Sequence, residues 1–258
     1  GGVSSMKPVE RRARGPANSY SDRVCAPSET IARLRPHLTS LGITRVARQT
    51  GLDTIGIPCF SAIRPNAITL SVSQGKGVDD DAAVASAIME AAEFAIAERP
   101  LPVAWRGPAR ALRQMGAAWV DPGRFLPLGD ALDVDRPLSW VAGRGLLSSM
   151  PVLVPRDIVR FDGQAPDLPS ISQSTNGLAS GNTSNEAVFH ALCELIERDA
   201  TTLWSLHTIE ERKPLAVALD SLGDRVVDDL AERVANAGLT LRLFDITTDI
   251  GVPSFFAL

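Results

Sequence analysis

The chain has 258 residues, 45% hydrophobic and 22% charged, with 26 Lys and Arg against 30 Asp and Glu for a formal charge of −4. These are globular values that argue against wholesale disorder, and no basic excess exists to neutralise a phosphate backbone, so no nucleic-acid partner is expected. No apolar run approaches the roughly 20 residues that span a bilayer and no signal-peptide pattern opens the chain, so no membrane partner is expected either.

Residues 1–19 are rich in Gly, Pro and Arg and read as a disordered leader, with Gly1–Ser5 ahead of Met6 resembling an expression scar. A single domain is expected over 20–258. A helix is predicted from Ser28 behind Pro27, bent or ended by Pro36. Short strands are expected at Thr44–Arg48, Ile55–Arg64 and Ala67–Ser73, followed by a break at Gly75-Lys76-Gly77. Asp79-Asp80-Asp81 then precedes an Ala-rich helix, Ala82 to Glu98, with negative charge at its N-terminus. Two further strands are read at Trp140–Leu146 and Met150–Pro155, and the Pro/Ser-rich Asp162–Ser174 is a loop. Long helices are predicted at Asn185 to about Leu206 and at Leu219–Ala237, the latter stopped by Gly238. Strands at Leu239–Phe244 and Pro253–Leu258 follow. The chain stops inside that last strand, which suggests a domain incomplete at its C-terminus. The mixture predicts an α+β fold with mixed or antiparallel sheets packed against helices.

Cys25, Cys59 and Cys193 are odd in number and widely spaced, against a disulfide scaffold or a CxxC metal site; a reducing cytoplasm is the default location. His37, His190 and His207 lack HExxH spacing, against a His-rich zinc site. Cys193 lies three residues after His190, so a Cys–His nucleophilic pair is conceivable; a small buried hydrophobe is the blander reading.

An internal echo stands out. Gly77, Glu90 and Glu93 superpose on Gly181, Glu194 and Glu197 with a shift of 104, so each glycine precedes a helix with two glutamates at i,i+3. At 100° per residue, Glu186, His190, Glu194 and Glu197 share one sector about 80° wide, opposite Val188, Leu192, Leu195 and Ile196. A solvated face is one reading. Against it, carboxylates at i,i+3 repel, and Glu90 and Glu93 sit among small residues that can be buried. Buried carboxylates need a cation, either Arg or a hard divalent ion such as Mg²⁺ with oxygen ligands beside phosphates. Gly75-Lys76-Gly77 is no Walker A loop; it is either a plain hairpin turn or a weak phosphate contact. Arg198 suits a phosphate or a carboxylate equally.

Arg48-Gln-Thr-Gly-Leu-Asp-Thr-Ile-Gly-Ile-Pro58, Arg64-Pro65, Ser73-Gln-Gly-Lys-Gly77, Ser86 to Glu93, Asn176-Gly-Leu-Ala-Ser-Gly-Asn182, Glu186 and Glu194-Leu-Ile-Glu-Arg-Asp199 together resemble the YcaO family. Tyr20-Ser-Asp-Arg23 and the Gly-Lys-Gly segment are most similar in flavour to members encoded beside TfuA partners. The resemblance implies ATP and Mg²⁺ bound in a non-Walker site, and ATP-dependent phosphorylation of a peptide backbone amide. The product would be a thioamide in a ribosomal peptide or protein substrate, with an azoline formed from Cys, Ser or Thr as the alternative. A non-catalytic peptide- or partner-binding scaffold is the rival of another class. By the same resemblance Glu90, Glu93, Glu186, Glu194 and Glu197 are metal ligands, and Asn182 and Arg198 are nucleotide contacts. Arg23 and Thr30 align loosely with nucleotide contacts, and Lys76 belongs to the shared Gly-Lys-Gly. A peptide substrate and a TfuA-like partner protein are implied, with room for a homodimer. The first glutamate helix departs from the family pattern, since Glu93 is followed by Phe94-Ala-Ile.

Overall fold

A computed structural model describes residues 23–258; the expected leader and Tyr20–Asp22 lie outside the described residues. Three small antiparallel sheets, each of three strands, are connected in chain order and packed with helices. The expected α+β class is what the chain adopts.

The first sheet consists of β1 (Arg45–Arg48), β2 (Cys59–Ile63) and β3 (Val72–Lys76), in that spatial order. Helix α2 (Asp80–Ala97) packs on it, and α1 (Pro27–Leu34) packs against α2. Pro27 occupies the first turn of α1, where its missing N–H costs nothing, and Pro36 falls in the tight turn that ends it. Asp79 caps α2, its side chain accepting from the Ala82 amide at 2.7 Å. Because α2 presents Ala83, Ala87 and Ala91, its backbone lies almost on the sheet, around a core with Leu41, Ile43, Ala62 and Ile88.

That close approach corrects one expectation. The strand starts at Val72 rather than Ala67, and it runs through Gly75-Lys76 instead of breaking there. A side chain on Gly75 would meet the Ala83 carbonyl at 2.1 Å and the Ala87 amide at 2.2 Å. The glycines admit a helix, so the segment is not a hairpin turn.

The second sheet consists of β4 (Trp105–Pro108), β5 (Pro137–Arg144) and β6 (Pro151–Pro155). It carries a core of Leu112, Leu138 and fully buried Trp140, whose indole N–H donates to the Gly107 carbonyl at 3.0 Å. A short helix α3 (Ala109–Gln114) follows β4. The expected loop over 162–174 is a loop, preceded by buried ion pairs of Arg156 with Asp162 and Arg160 with Asp157. Between these groups Phe161 meets Phe94 of α2 edge-on, 6.3 Å between centroids.

The long helix α4 (Ser184–Ser205) starts from Thr183, whose hydroxyl accepts from the Glu186 amide at 3.2 Å. Beyond it come α5 (Ile209–Arg212), β7 (Ala216–Val217), α6 (Arg225–Asn236), β8 (Leu243–Asp245) and β9 (Phe255–Ala257). Helix α6 begins six residues later than expected, because Gly223 turns with positive φ and Asp224 caps the new start. Ala200, Trp204, Phe244 and Ile246 form the third core, with the Arg212 guanidinium 4.2 Å above the Trp204 ring. No described helix is long and apolar enough to cross a membrane.

Candidate nucleotide and metal site

Helices α2 and α4 flank a cleft of about 420 Å³, closed by the segment leading into α1. Its lining includes Arg23, Thr30, Glu90, Glu93, Asn182, Glu186 and Glu194, seven of the ten predicted site residues. The 104-residue echo is local but real. Asp79 caps onto Ala82, and Thr183 caps onto Glu186. A side chain on Gly77 would strike Ala82 and Ala83, and one on Gly181 would strike Glu186 and Ala187. Every partner in the second set is the first shifted by 104. The echo ends there, since a strand precedes only Gly77.

The two sides of the cleft differ electrostatically. On one, Glu186 accepts from Arg23 at 2.9 Å, from the Val24 amide at 3.2 Å and from the Asn182 amide group at 3.2 Å. Asn182 in turn accepts from the Thr30 hydroxyl at 3.0 Å. Burial pushes the Glu186 carboxyl up, but these donors outweigh it and hold the group below its ordinary range.

On the other side, Glu90 accepts from the Gln74 amide at 3.0 Å and Glu93 is hydrogen-bonded to Ser180. Burial raises the Glu90 carboxyl against that hydrogen bond, with Glu194 adding repulsion and Lys76 opposing it. Burial likewise raises Glu93, to about 7, with Glu194 and Glu90 adding to the shift. Carboxylates held this way favour either a proton or a cation.

Three expected residues stand apart. Glu197 is exposed and outside the cleft lining. The reason is axial rather than angular: it sits eleven residues beyond Glu186, about 16 Å further along α4. Arg198 pairs with Glu194 at 2.5 Å and donates to Asn176 at 2.6 Å and Thr175 at 2.9 Å, so the expected carboxylate partner is present. Lys76 is exposed on β3 near Glu90. Among the described residues no three His, Cys, Asp or Glu side chains converge into a cage of their own. Spaced carboxylates of this kind suit a Mg²⁺ ion that takes one or two of them and fills its shell with phosphate oxygens and water.

Sequence reasoning gave no role to Ser180, which lies within the quoted Asn176–Asn182 segment but has no distinguishing residue pattern. Cys25 was also passed over; its thiol lies 3.5 Å from the Thr30 hydroxyl, on the cleft wall. Cys193 is half-buried in a separate hollow with Phe189 and His190, while His190 also reaches the cleft.

Residues 74–258 match a family model described as YcaO cyclodehydratase, ATP- and Mg²⁺-binding. The chain belongs to the YcaO family. Its relatives include an uncharacterized protein in the tfuA 3′ region of Rhizobium leguminosarum bv. trifolii, 42% identical over 96% of this chain and 59% of that protein. An uncharacterized protein of Methanothermobacter thermautotrophicus is 37% identical over 90% of this chain and 60% of that protein. The chain thus spans about three fifths of these relatives. Among solved structures, YcaO from Methanopyrus kandleri bound with AMPPCP and Mg²⁺ is 25% identical, with a TM-score of 0.58 over 86% of this chain and 54% of that one. A heterocyclase in complex with substrate and cofactor shares the fold at a TM-score of 0.74 and 21% identity, covering 96% of this chain and 37% of that one. The YcaO domain is an ATP- and Mg²⁺-binding domain, and its enzymes are ATP-dependent modifiers of peptides.

Proposed function

We propose that this chain is the nucleotide-binding part of an enzyme that activates a peptide backbone amide with ATP and Mg²⁺ and leads to a thioamide. The observation that carries the reading is the cleft between α2 and α4, where Glu90, Glu93 and Glu194 face one another and, among the described residues, no cation is paired with Glu93. When bound, ATP supplies the phosphoryl group that activates an amide oxygen, and Mg²⁺ supplies the charge that neutralises phosphate.

The chain's own contribution is placement. Glu90, Glu93 and Glu194 would hold the metal, and Arg198 would orient Glu194 through their ion pair. Arg23, Thr30, Asn182 and Glu186 form one connected hydrogen-bond chain that would fix the nucleotide from the opposite side. Glu186 is engaged by donors and Glu197 lies outside, so the two are proposed as lesser ligands at most. Lys76 would tune the field at Glu90. Thioamide formation is supported by the relative in the tfuA 3′ region, which also suggests a TfuA-like partner. Azoline formation is the second reading, favoured by the cyclodehydratase description of the family. A reducing, cytoplasmic setting accords with three free cysteines among the described residues.

The test is thermal unfolding with Mg²⁺, AMPPCP, or both, on the wild type and on Glu90→Gln/Glu194→Gln. At a hundredfold excess over Kd, linkage adds about 2.7 kcal/mol, a rise of several degrees. A rise needing both ligands and lost in the variant supports the site. A wild-type midpoint indifferent to both overturns it.

A further inference from the structure

A second, larger recess of about 1000 Å³ opens directly off the cleft. The two share Thr30, Met89, Glu93, Ser180 and Asn182, so Glu93 stands at the doorway between them. Beyond that doorway the walls turn apolar, with Met89 and Ile96 from α2, Val103 ahead of β4, Val141 from β5, Val154 from β6, and Leu178. Ile96 and Val103 are left 51% and 49% exposed at the rim.

The walls specify the occupant. Among the described lining residues only Arg33 and Glu93 are charged. Arg33 is already paired with Glu29, and Glu93 is a carboxylate. Among the described lining residues Arg33, at the solvent-exposed end, is the one cation, so a phosphate leaving water for the apolar walls gains little to offset its lost hydration, whereas a neutral apolar group loses nothing there. The recess also exceeds the volume of the carboxylate cleft more than twofold, so it accommodates a second molecule beside a nucleotide.

We propose that this recess is the acceptor-peptide subsite, and that it selects a substrate with a large apolar side chain next to the amide to be activated. This deepens the proposed function and rests on it for the identity of the acceptor. Seating such a side chain among Met89, Ile96 and Val141 brings the adjoining backbone amide to the doorway at Glu93, where the two cavities meet. Charge complementarity makes the same point from the other side: the described wall beyond the doorway is uncharged, so an acidic side chain would lose its hydration there without gaining a partner.

The experiment uses the 258-residue chain with methyl-labelled side chains, titrated with the blocked pentapeptides acetyl-Gly-Gly-Leu-Gly-Gly-amide and acetyl-Gly-Gly-Asp-Gly-Gly-amide. The Leu peptide should move the methyl resonances of Met89, Ile96, Val141 and Leu178 saturably, and the Asp peptide should bind about tenfold more weakly or worse. Ile96→Asp, at a half-exposed position that folding tolerates, should weaken the Leu peptide about fivefold or more and leave AMPPCP–Mg²⁺ binding unchanged; Val103→Asp serves as the second rim variant. Equal binding of the two peptides, no saturable response, or the same methyl shifts produced by AMPPCP–Mg²⁺ or by self-association on concentrating the chain would each overturn the inference. If the Leu peptide binds as expected while AMPPCP–Mg²⁺ gives no response at the cleft, the recess stands and the nucleotide reading falls.

Discussion

Glu93 and Glu98 sit five residues apart on α2 and its C-cap, and their surroundings push them in opposite directions. Glu98 is buried, paired with the Arg64 guanidinium, and accepts from both the Thr69 amide at 3.0 Å and the Thr69 hydroxyl at 2.7 Å. Burial pushes its carboxyl up, but these donors outweigh it and bring it down to about 2. Glu93 is half-buried with two donors, the Ser180 hydroxyl and backbone, against two carboxylate neighbours, and burial brings it to about 7. One helix thus carries a carboxylate whose needs the fold meets and another whose needs are left for a ligand. The contrast separates residues that hold the structure from residues held ready by it.

The comparison can be broken at several points. The largest effect is expected from Glu98→Ala, which strands Arg64 in the interior and should cost about 3–5 kcal/mol in denaturant unfolding. Adding Arg64→Met should recover part of that loss. Gly75→Ala follows, since its new methyl meets helix backbone that cannot swing away; a loss of about 1–3 kcal/mol is expected, together with weaker AMPPCP–Mg²⁺ binding as α2 is displaced.

The pH dependence is smaller and opposite in sign at the two positions. Glu98 is depressed from 4.5, so its stabilisation is present above pH 4.5 and lost as pH falls toward 2. Glu93 is raised from 4.5 to about 7, so the folded chain holds its proton more tightly and stability declines as pH rises from 4.5 through 7. Glu93→Gln should flatten that decline in metal-free thermal melts between pH 5 and 8. The smallest effect is expected from Arg33→Met, which removes an exposed i,i+4 pair with Glu29 and should change stability by less than about 0.5 kcal/mol.

Much of this architecture was legible because it is local. Caps, prolines and periodicity located α1, α2 and α4 within a residue or two, and the i,i+3 glutamates on α2 pointed to the cleft. What failed was long-range. The Gly75-Lys76-Gly77 segment read as a break because the helix that requires its glycines is not visible from the strand. Glu197 shares an angular sector with Glu186, yet distance along α4 takes it out of the cleft lining. Arg198 could not be assigned until Thr175 and Asn176 came beside it. The apolar recess was invisible for the same reason, since its walls are collected from five separate stretches of chain.

The close approach of Gly75, Gly77 and Gly181 to the first two turns of α2 and the first turn of α4 has a consequence for how this scaffold can change. Main chain bears directly on main chain there, so the seating of both helix starts does not depend on which side chains the rest of the cleft carries. Drift or deliberate engineering can therefore re-line the cavity walls while the two helix starts stay anchored, provided these three positions are left without a side chain.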